Sequence, residues 1–288
     1  MLNSLVSISR PYQWIKNILI LVPLISSQKY ELDSLISCIE AIVIFSLISS
    51  SGYIINDFFD KKNDLLHPVK KLRPIASGRL NYKIAIIFSI IYLIIAGYLS
   101  LNNNPTFIYI IISYVLITFI YSLILKKIIF IDIIIISLLF LHRINAGSAA
   151  IDVETSIYLL LFSILFFISL ACIKRIAEIK TLSDSQKTIP GRAYKTEHIQ
   201  LLRYITNFTF YLSLLVLIYY IFNANIINLY ENNILLFAVC PILFFWFIRI
   251  FKKAMNSEID GDPILFAIKD KISVIFLFIS AIVIFFSI

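Results

Sequence analysis

Residues 35–64 read LISCIEAIVIFSLISSSGYIINDFFDKKND, and this stretch decides the fold class and the place where chemistry is expected. Its first part, 35–55, is apolar and long enough to cross a bilayer, since a spanning helix needs about 20 mainly apolar residues. Asp57, Asp60 and Asp64 follow at i, i+3 and i+7, which places three carboxylates on one helix face. Like charges on one face repel unless a cation neutralises them. Oxygen ligands beside a basic loop predict Mg²⁺ holding a phosphate or diphosphate, and a solvated helix end is the alternative.

The composition of the whole chain indicates an integral membrane protein. Of the 288 residues, 60% are hydrophobic and 15% are charged, against about a quarter charged in soluble domains. Because alternating polar and apolar residues are absent, a β-barrel is disfavoured. We therefore expect an all-α fold with about nine transmembrane helices. The nine candidate spans are 13–27, 35–55, 84–101, 106–125, 128–150, 156–178, 201–222, 233–251 and 272–288.

The basic residues set the expected orientation. All but two of the 25 Lys and Arg residues fall on one side of these spans, and the exceptions are Lys29 and Arg143. The positive-inside rule then predicts a cytoplasmic N-terminus and cytoplasmic site loops at about 56–83 and 179–200, in the cytoplasmic membrane of a bacterium. The net charge of +8 describes this one face, and it suits anionic lipid or a phosphorylated substrate without any need for nucleic acid.

Several classes of site are excluded by what the sequence lacks. The three cysteines, Cys38, Cys172 and Cys240, are isolated within spans, so neither a disulfide framework nor a zinc site is predicted. There is also no Walker motif, no GxGxxG and no GxSxG. The chemistry is therefore expected at the ends of the spans that carry charge.

Two groups of residues in the first half are candidates for phosphate contacts. Arg73 lies among residues that fold a loop, Pro74 and Gly78, and its rigid guanidinium suits phosphate oxygens. Lys126, which follows Tyr121, either contacts substrate or extends from a helix end to the membrane surface.

Two further groups lie deeper or later in the chain. Arg143 is inside a span, where it either serves function or pairs structurally with Asp152 or Glu154. In the second half, Lys174, Arg175 and Glu178 come at the end of the sixth span. They form either a cationic cradle for phosphate or a local ion-pair cap. The second of two long loops follows this group, which suggests a duplicated four-helix unit with one site loop in each half.

Taken together, these motifs resemble the UbiA superfamily of intramembrane prenyltransferases. The stretch from Asn56 to Asp64 resembles that family's first aspartate-rich motif, and Tyr121 to Lys126 resembles its Tyr-x-x-x-Lys element. The resemblance covers nearly the whole chain. It implies one UbiA-like transmembrane domain over 1–288 with its active site on the cytoplasmic side.

One departure points to a branch of the superfamily. Typical members carry a second aspartate-rich motif after the sixth span, whereas this chain has Lys174-Arg175-x-x-Glu178 there. This pattern resembles the polyprenyl-phosphate (decaprenyl-phosphate) phosphoribosyltransferases. The segment from Arg10 to Asn17 and the residues Arg143 and Asp132 agree with that branch.

The resemblance implies transfer of 5-phosphoribose from phosphoribosyl diphosphate to a polyprenyl phosphate, with Mg²⁺ as cofactor. An ordinary prenyltransferase acting on an aromatic acceptor is the first alternative, and a transporter or lipid-binding channel is the second. The implied catalytic residues are Asp57, Asp60, Arg73 and Lys126. The implied metal ligands are Asp57, Asp60 and Asp64. The implied substrate-binding residues are Asn56, Lys16, Tyr121, Lys174, Arg175, Glu178 and Arg143.

Overall fold

The chain is described by a computed structural model that covers residues 2–66, 69–182, 188–222, 230, 232–259 and 261–288. Within these ranges the regular structure is helical, apart from an isolated bridge between Thr188 and Lys195, so the predicted all-α class is confirmed. The α-helices are α1 (Leu2–Ser9), α2 (Val22–Ser26), α3 (Leu32–Leu65), α4 (Tyr82–Ser100), α5 (Pro105–Leu123), α6 (Ile131–Ala150), α7 (Ile157–Lys180), α8 (Ile199–Ile221), α9 (Val239–Met255), α10 (Pro263–Lys269) and α11 (Lys271–Ser287). The 3₁₀ helices are Pro11–Leu21, Lys70–Leu72, Leu125–Lys127, Thr196–His198 and Asn233–Ala238.

Seven helical segments in the described ranges are long and apolar enough to cross a membrane. The pair α10 and α11 adds an eighth if its members form one span, although they meet at an angle of 86°. The predicted count of nine is therefore not confirmed. The seven segments are Leu32–Leu65, Tyr82–Ser100, Pro105–Leu123, Ile131–Ala150, Ile157–Lys180, Thr196–Ile221 and Asn233–Met255.

The difference arises at the first predicted span, 13–27. It is built as the 3₁₀ helix Pro11–Leu21 followed by the short helix α2. Pro23 lacks a backbone N–H, so an unbroken α-helix through it would lose a hydrogen bond. Because a 3₁₀ helix rises about 2.0 Å per residue, the two helices have a combined length of about 30 Å, which matches a bilayer core.

The chain divides into two compact units. Unit 1 comprises Met1–Thr155 with Pro190–Ala193, and unit 2 comprises Ser156–Ile189 with Tyr194–Ile288. The main core of unit 1 joins the 3₁₀ helix Pro11–Leu21 to α3, α5 and α6. A core cluster of unit 2 joins the end of α8 to α9.

The local sequence determines where α5 begins and allows α6 to pack closely against a neighbour. The side chain of Asn104 caps α5 by accepting a hydrogen bond from the backbone N–H of Phe107 at 2.8 Å. Gly147 of α6 lies against the 3₁₀ helix Pro11–Leu21, and a Cβ at this position would lie 2.0 Å from the carbonyl oxygen of Ile20. This contact holds the 3₁₀ helix beside α6, within reach of the polar residues described below.

The length of α3 positions the acidic row. Its 34 residues extend about 51 Å, well beyond a hydrocarbon core of about 30 Å. The apolar part of the helix fills the core of unit 1, so its last turns carry Asp57, Asp60 and Asp64 past that core.

Candidate functional site

The acidic row of α3 is held by basic side chains from other segments of unit 1. Asp57 and Asp64 are almost completely buried. The guanidinium of Arg73 bridges them, with its Nη1 at 3.0 Å from Asp57 Oδ1 and 2.8 Å from Asp64 Oδ2. Arg10 donates a second charged hydrogen bond to Asp57 Oδ1 at 2.5 Å. The expected repulsion along the helix face is thus relieved by arginines.

The middle carboxylate of the row has a different partner. Lys126 is 2% exposed, and its Nζ lies 2.7 Å from Asp60 Oδ1 and 3.1 Å from Asn56 Oδ1. Asn56 completes the group by donating from Nδ2 to Asp60 Oδ2 at 3.0 Å. The structure thus brings together three residues that the sequence analysis named as candidates, Asn56, Asp60 and Lys126.

The backbone explains how the basic residues reach the row. Arg10 has a left-handed conformation, with φ of 51°, directly before the 3₁₀ helix that starts at Pro11. Arg73 has an extended backbone and follows the 3₁₀ turn Lys70–Leu72. The turn after it is closed by a hydrogen bond from the backbone N–H of Ser77 to the carbonyl oxygen of Arg73. Lys126 lies in the 3₁₀ turn that joins α5 to α6.

The charges of the cluster balance, but not every oxygen is satisfied. Burial lowers the pKa of Lys126, although the neighbouring Asp60 acts in the opposite direction. Burial is the largest single influence on Arg10 and acts to lower its pKa, but the charge of Asp57, its hydrogen bond and the nearby Tyr12 and Tyr53 together raise the pKa. Among the described side chains, Asp57 Oδ2 is a buried oxygen with no hydrogen-bond partner. A buried acceptor of this kind is costly and suits a ligand that brings a positive charge.

A second polar group borders the same cleft. Asp132 is fully buried in the first turn of α6, and Arg192 donates to its Oδ1 at 2.7 Å. Tyr121 donates to the same oxygen at 2.9 Å. The cleft beside these residues is lined by Asp60, Asn63, Asp64, Lys70, Lys126, Pro190, Gly191 and Arg192.

The loop that carries Arg192 needs a glycine. Gly191 has a φ of +75°, and a Cβ there would lie 2.7 Å from Asn63 Nδ2 on α3. Both the positive φ and the close approach favour glycine, which allows the segment Pro190–Ala193 to pack within unit 1. Arg192 was not among the predicted site residues, and its pairing with Asp132 joins positions 60 residues apart in the chain.

Arg143 lies deeper in unit 1 and has neutral partners. Its Nε donates to Asn17 Oδ1 at 2.9 Å, and its Nη2 donates to the hydroxyl of Tyr114 at 2.9 Å. No Asp or Glu of the described residues forms an ion pair with it, so the structural pairing with Asp152 or Glu154 is wrong. Lys16 is also buried in this region, with its Nζ 5.7 Å from the centroid of the Phe140 ring.

The remaining predicted residues form a separate cluster in unit 2. Arg175 of α7 is fully buried, forms an ion pair with Glu178 one turn on, and stacks over Tyr194 at 5.9 Å. Lys174 is partly exposed and pairs with Asp262 at 3.3 Å. Both the cradle and the ion-pair cap predicted from the sequence are compatible with these contacts.

The sequence missed one member of the site in unit 1, Arg10, and gave no role to Gln13, whose Oε1 is buried without a hydrogen-bond partner among the described residues. Arg10 was noted only as part of a motif, although it contacts Asp57 directly. Gln13 was not considered as a site residue. The spacing of Arg10, Gln13 and Lys16 by three residues is a pattern that could have revealed a polar face on a 3₁₀ helix. Two polar residues of the predicted site loops, His67 and Asp184, lie outside the described residues.

The donor atoms of the acidic row suit a hard divalent cation. Three carboxylates and the amide of Asn56 offer oxygen ligands, and one oxygen of Asp57 is buried without a partner. In the part of the chain that the structure describes, no three His, Cys, Asp or Glu side chains are gathered around one metal position. The carboxylates pair with basic side chains, and the predicted ligand roles of Asp57, Asp60 and Asp64 remain predictions.

Comparisons with known proteins agree with this arrangement. The model of the UbiA prenyltransferase family matches residues 19–266. Nodulation protein NoeC of Azorhizobium caulinodans is 26% identical over 272 residues, which cover 92% of this chain and 87% of that protein. The decaprenyl-phosphate phosphoribosyltransferase of Mycolicibacterium smegmatis is 31% identical over 189 residues, which cover 62% of this chain and 58% of that protein.

A solved structure shares the fold over almost the whole chain. A UbiA homologue from Archaeoglobus fulgidus, bound to DMAPP and Mg²⁺, superposes with a TM-score of 0.72 at 15% identity. The superposition covers 99% of this chain and 97% of that one. At this identity the comparison establishes the fold and leaves the substrate open.

Proposed function

Because the chain belongs to the UbiA prenyltransferase family, we propose that it transfers 5-phosphoribose from phosphoribosyl diphosphate to a polyprenyl phosphate and releases diphosphate. The chain is a multi-pass membrane protein and an enzyme of this superfamily. The observation that carries the proposal is the row Asp57, Asp60 and Asp64, in which each carboxylate is neutralised by a basic side chain from another segment.

The acidic row is proposed as the donor site. Asp57, Asp60 and Asp64 would hold Mg²⁺, which would neutralise negative charge on the diphosphate. Arg10, Arg73 and Lys126 then leave the carboxylates and bind phosphate oxygens, so the site exchanges one set of ion pairs for another. In this arrangement the same basic groups stabilise the aspartates before binding and the leaving group during reaction.

The reaction needs no strong general base. An oxygen of the acceptor phosphate forms the new bond to the anomeric carbon, and the bond from that carbon to the diphosphate breaks. The electron pair leaves with the diphosphate. Since the second pKa of a phosphate monoester is near 6, the acceptor is largely ionised at neutral pH. The carboxylates and cations of the acidic row are consistent with a reaction that needs no such base.

The basic cluster of unit 2 fits an anionic acceptor better than a second metal-bound diphosphate. Lys174 is the more exposed of the two cations and is proposed to contact the acceptor phosphate. Arg175, held by Glu178 and Tyr194, is proposed to add positive charge from a fixed position. Relatives of this chain include decaprenyl-phosphate phosphoribosyltransferases, which supports the assignment of a polyprenyl phosphate.

The proposed setting is the cytoplasmic membrane of a bacterium, with the N-terminus and the donor site facing the cytoplasm. The distribution of Lys and Arg supports this orientation. A soluble donor reaches such a site from the cytoplasm, while the lipid acceptor reaches it through the membrane.

The proposal is tested with the purified protein in lipid nanodiscs. Incubation with Mg²⁺, phosphoribosyl diphosphate and a polyprenyl phosphate should give lipid-linked phosphoribose, detected by mass spectrometry. A parallel reaction receives a prenyl diphosphate and an aromatic acceptor. Prenylated aromatic product with no phosphoribosylated lipid would replace our proposal by the ordinary prenyltransferase reaction. The Asp33→Asn variant, altered at the opposite end of α3, serves as the control for loss of a carboxylate.

A further inference from the structure

Arg143 is a buried cation whose partners among the described residues are all uncharged. It is 4% exposed, and its hydrogen bonds go to the Asn17 amide, the Leu139 carbonyl at 2.5 Å, and the hydroxyls of Tyr114 and Ser49. These groups solvate the guanidinium but bring no negative charge. An arginine also cannot escape the cost by losing its proton.

A fixed positive charge inside a spanning helix is expensive and is usually matched by an anion. The polar groups around Arg143 come from four segments, which are the 3₁₀ helix Pro11–Leu21, α3, α5 and α6. Packing alone does not require a charged residue at position 143, because a leucine or methionine would fill the same space without the cost of burying a charge. The arrangement therefore indicates an anionic ligand that supplies the missing charge.

The distance from the acidic row limits which anion this is. Ser49 contacts Arg143 at 3.5 Å, and Asp57 lies eight residues further along the same helix. At 1.5 Å per residue, the two levels are about 12 Å apart along α3. A ligand that spans both levels must carry one anionic group at each end.

The 3₁₀ helix offers polar atoms between these two levels. With three residues per turn, Gln13 and Lys16 lie on the same face, above one another. Gln13 Oε1 is buried and has no hydrogen-bond partner among the described residues, so it can accept from a ligand hydroxyl. Lys16 Nζ and Arg143 Cζ lie 5.7 Å and 5.5 Å from the same Phe140 ring, which places two cations at the deep end.

We infer that Arg143, with Lys16 and Gln13, forms a binding site for a phosphate monoester below the acidic row. The inference rests on the proposed function, in which both substrates carry such a group. The attacking acceptor phosphate must lie next to the anomeric carbon, and hence next to the diphosphate. The 5-phosphate of the donor lies at the opposite end of the ribose, and the ring hydroxyls lie between, so the geometry favours the donor's 5-phosphate. This site would distinguish phosphoribosyl diphosphate from a prenyl diphosphate.

The test compares three ligands on the Arg143→Gln variant in nanodiscs with Mg²⁺ present. The ligands are phosphoribosyl diphosphate, inorganic diphosphate and farnesyl phosphate, and the measurement is the Kd of each by calorimetry. We expect phosphoribosyl diphosphate to bind roughly 10- to 100-fold more weakly, the loss typical of a charged hydrogen bond, and diphosphate to be unchanged. The control is Lys29→Gln, which removes a cation whose Nζ donates to the Ile151 carbonyl oxygen, and it should leave all three values unchanged.

Each other outcome has a defined meaning. A loss confined to farnesyl phosphate keeps the monoester site and assigns it to the lipid acceptor. Unchanged binding of both monoesters, or an equal loss for diphosphate, overturns the inference, because Arg143 would then act only on the fold. If Arg143→Gln weakens the binding of phosphoribosyl diphosphate as expected, but the wild-type protein transfers no phosphoribose, the proposed function fails and the anion site stands. Where transfer by the variant equals that by the wild type, the site fails and the function stands.

A second measurement covers the case in which Arg143→Gln does not fold. Tyr114, which contacts Arg143, is replaced by 3-fluorotyrosine in the otherwise unchanged protein. Phosphoribosyl diphosphate should shift the fluorine resonance, whereas diphosphate, confined to the acidic row, should not. An unshifted resonance at saturating phosphoribosyl diphosphate and at saturating farnesyl phosphate contradicts the inference.

Discussion

In unit 1, acidic side chains lie near the end of the long helix α3, and in unit 2, basic side chains lie near the end of the long helix α7. In unit 1 one helix supplies the carboxylates and three separate segments supply the cations. In unit 2 one helix supplies the cations, and the ion pair of Arg175 with Glu178 lies within that helix.

The difference lies in how easily each set of pairs can be exchanged. The cations of unit 1 come from separate loops and can move individually to a phosphate, and their departure frees carboxylates for a metal. The pair Arg175–Glu178 is local to α7 and buried, so its charge stays where it is. We infer that unit 1 changes its ion pairs on binding, while unit 2 presents a fixed charge with Lys174 as its adjustable member.

The largest effect is expected for Asp57→Asn in unit 1. The change removes a proposed metal ligand and leaves the two arginines that contact Asp57 without their shared charge. Turnover should fall by about 10²- to 10³-fold, the scale seen when one charge-stabilising group is lost from an active site. Lipid-linked phosphoribose is measured beside Asp33→Asn, and equal rates in the two variants would remove the acidic row from the mechanism.

A smaller effect is expected for Lys126→Gln. The variant loses a charged contact to the leaving group, so kcat should fall about 10- to 100-fold. It also leaves Asp60 without its cation, so the midpoint of thermal unfolding should drop. Lys127→Gln, altered at the exposed neighbour, is the matched control. A lower midpoint with unchanged kcat would make Lys126 a structural partner of Asp60 only.

In unit 2, Lys174→Gln should raise the KM for the polyprenyl phosphate about tenfold and leave kcat nearly unchanged. The reason is that this cation is proposed to bind the acceptor before and during reaction to the same extent. Lys180→Gln, at the exposed end of the same helix, controls for the loss of charge. If Lys174→Gln matches Lys180→Gln in KM, the ion-pair cap is the better reading of this cluster.

The smallest effect is expected for Gly191→Ala, which tests the loop that brings Arg192 to unit 1. Gly78 provides the comparison, because its φ of +74° is nearly the same and a Cβ there meets nothing within 4 Å. Each variant should lose about 1–2 kcal/mol of stability from backbone strain. Gly191→Ala should in addition raise the KM for the donor a few-fold, since Asn63 must turn within the cleft. Equal KM values in the two variants would show that this contact does not shape the cleft.

Much of the fold could be predicted because its cause is local. The apolar run 35–55 marks α3, and the spacing of Asp57, Asp60 and Asp64 places them on one face whatever surrounds them. The structure extends the helix to Leu65, because nothing in the acidic segment breaks it. Lys126 was named as a candidate from the motif, but its pairing with Asp60 was seen only in the structure.

The rest depends on contacts that the local sequence does not specify. Arg10 reaches Asp57 across 47 residues and needs a left-handed backbone, which is unusual for arginine. The 3₁₀ form of Pro11–Leu21 was not predictable, since runs of this length are uncommon, and neither was its close packing against Gly147. For Arg143 the sequence left open a functional role or a pairing with Asp152 or Glu154, and its actual partners Asn17 and Tyr114 come from other segments.

The central claim is that a divalent cation takes the carboxylates of unit 1 and frees its basic residues to bind the donor. The most direct measurement is the Kd of phosphoribosyl diphosphate for the wild-type protein in nanodiscs, with Mg²⁺ and with excess EDTA. The account predicts binding at least about 100-fold weaker in EDTA, and a much smaller dependence on Mg²⁺ in Asp57→Asn. Equal affinity in both solutions, with turnover undiminished by the chelator, would contradict it.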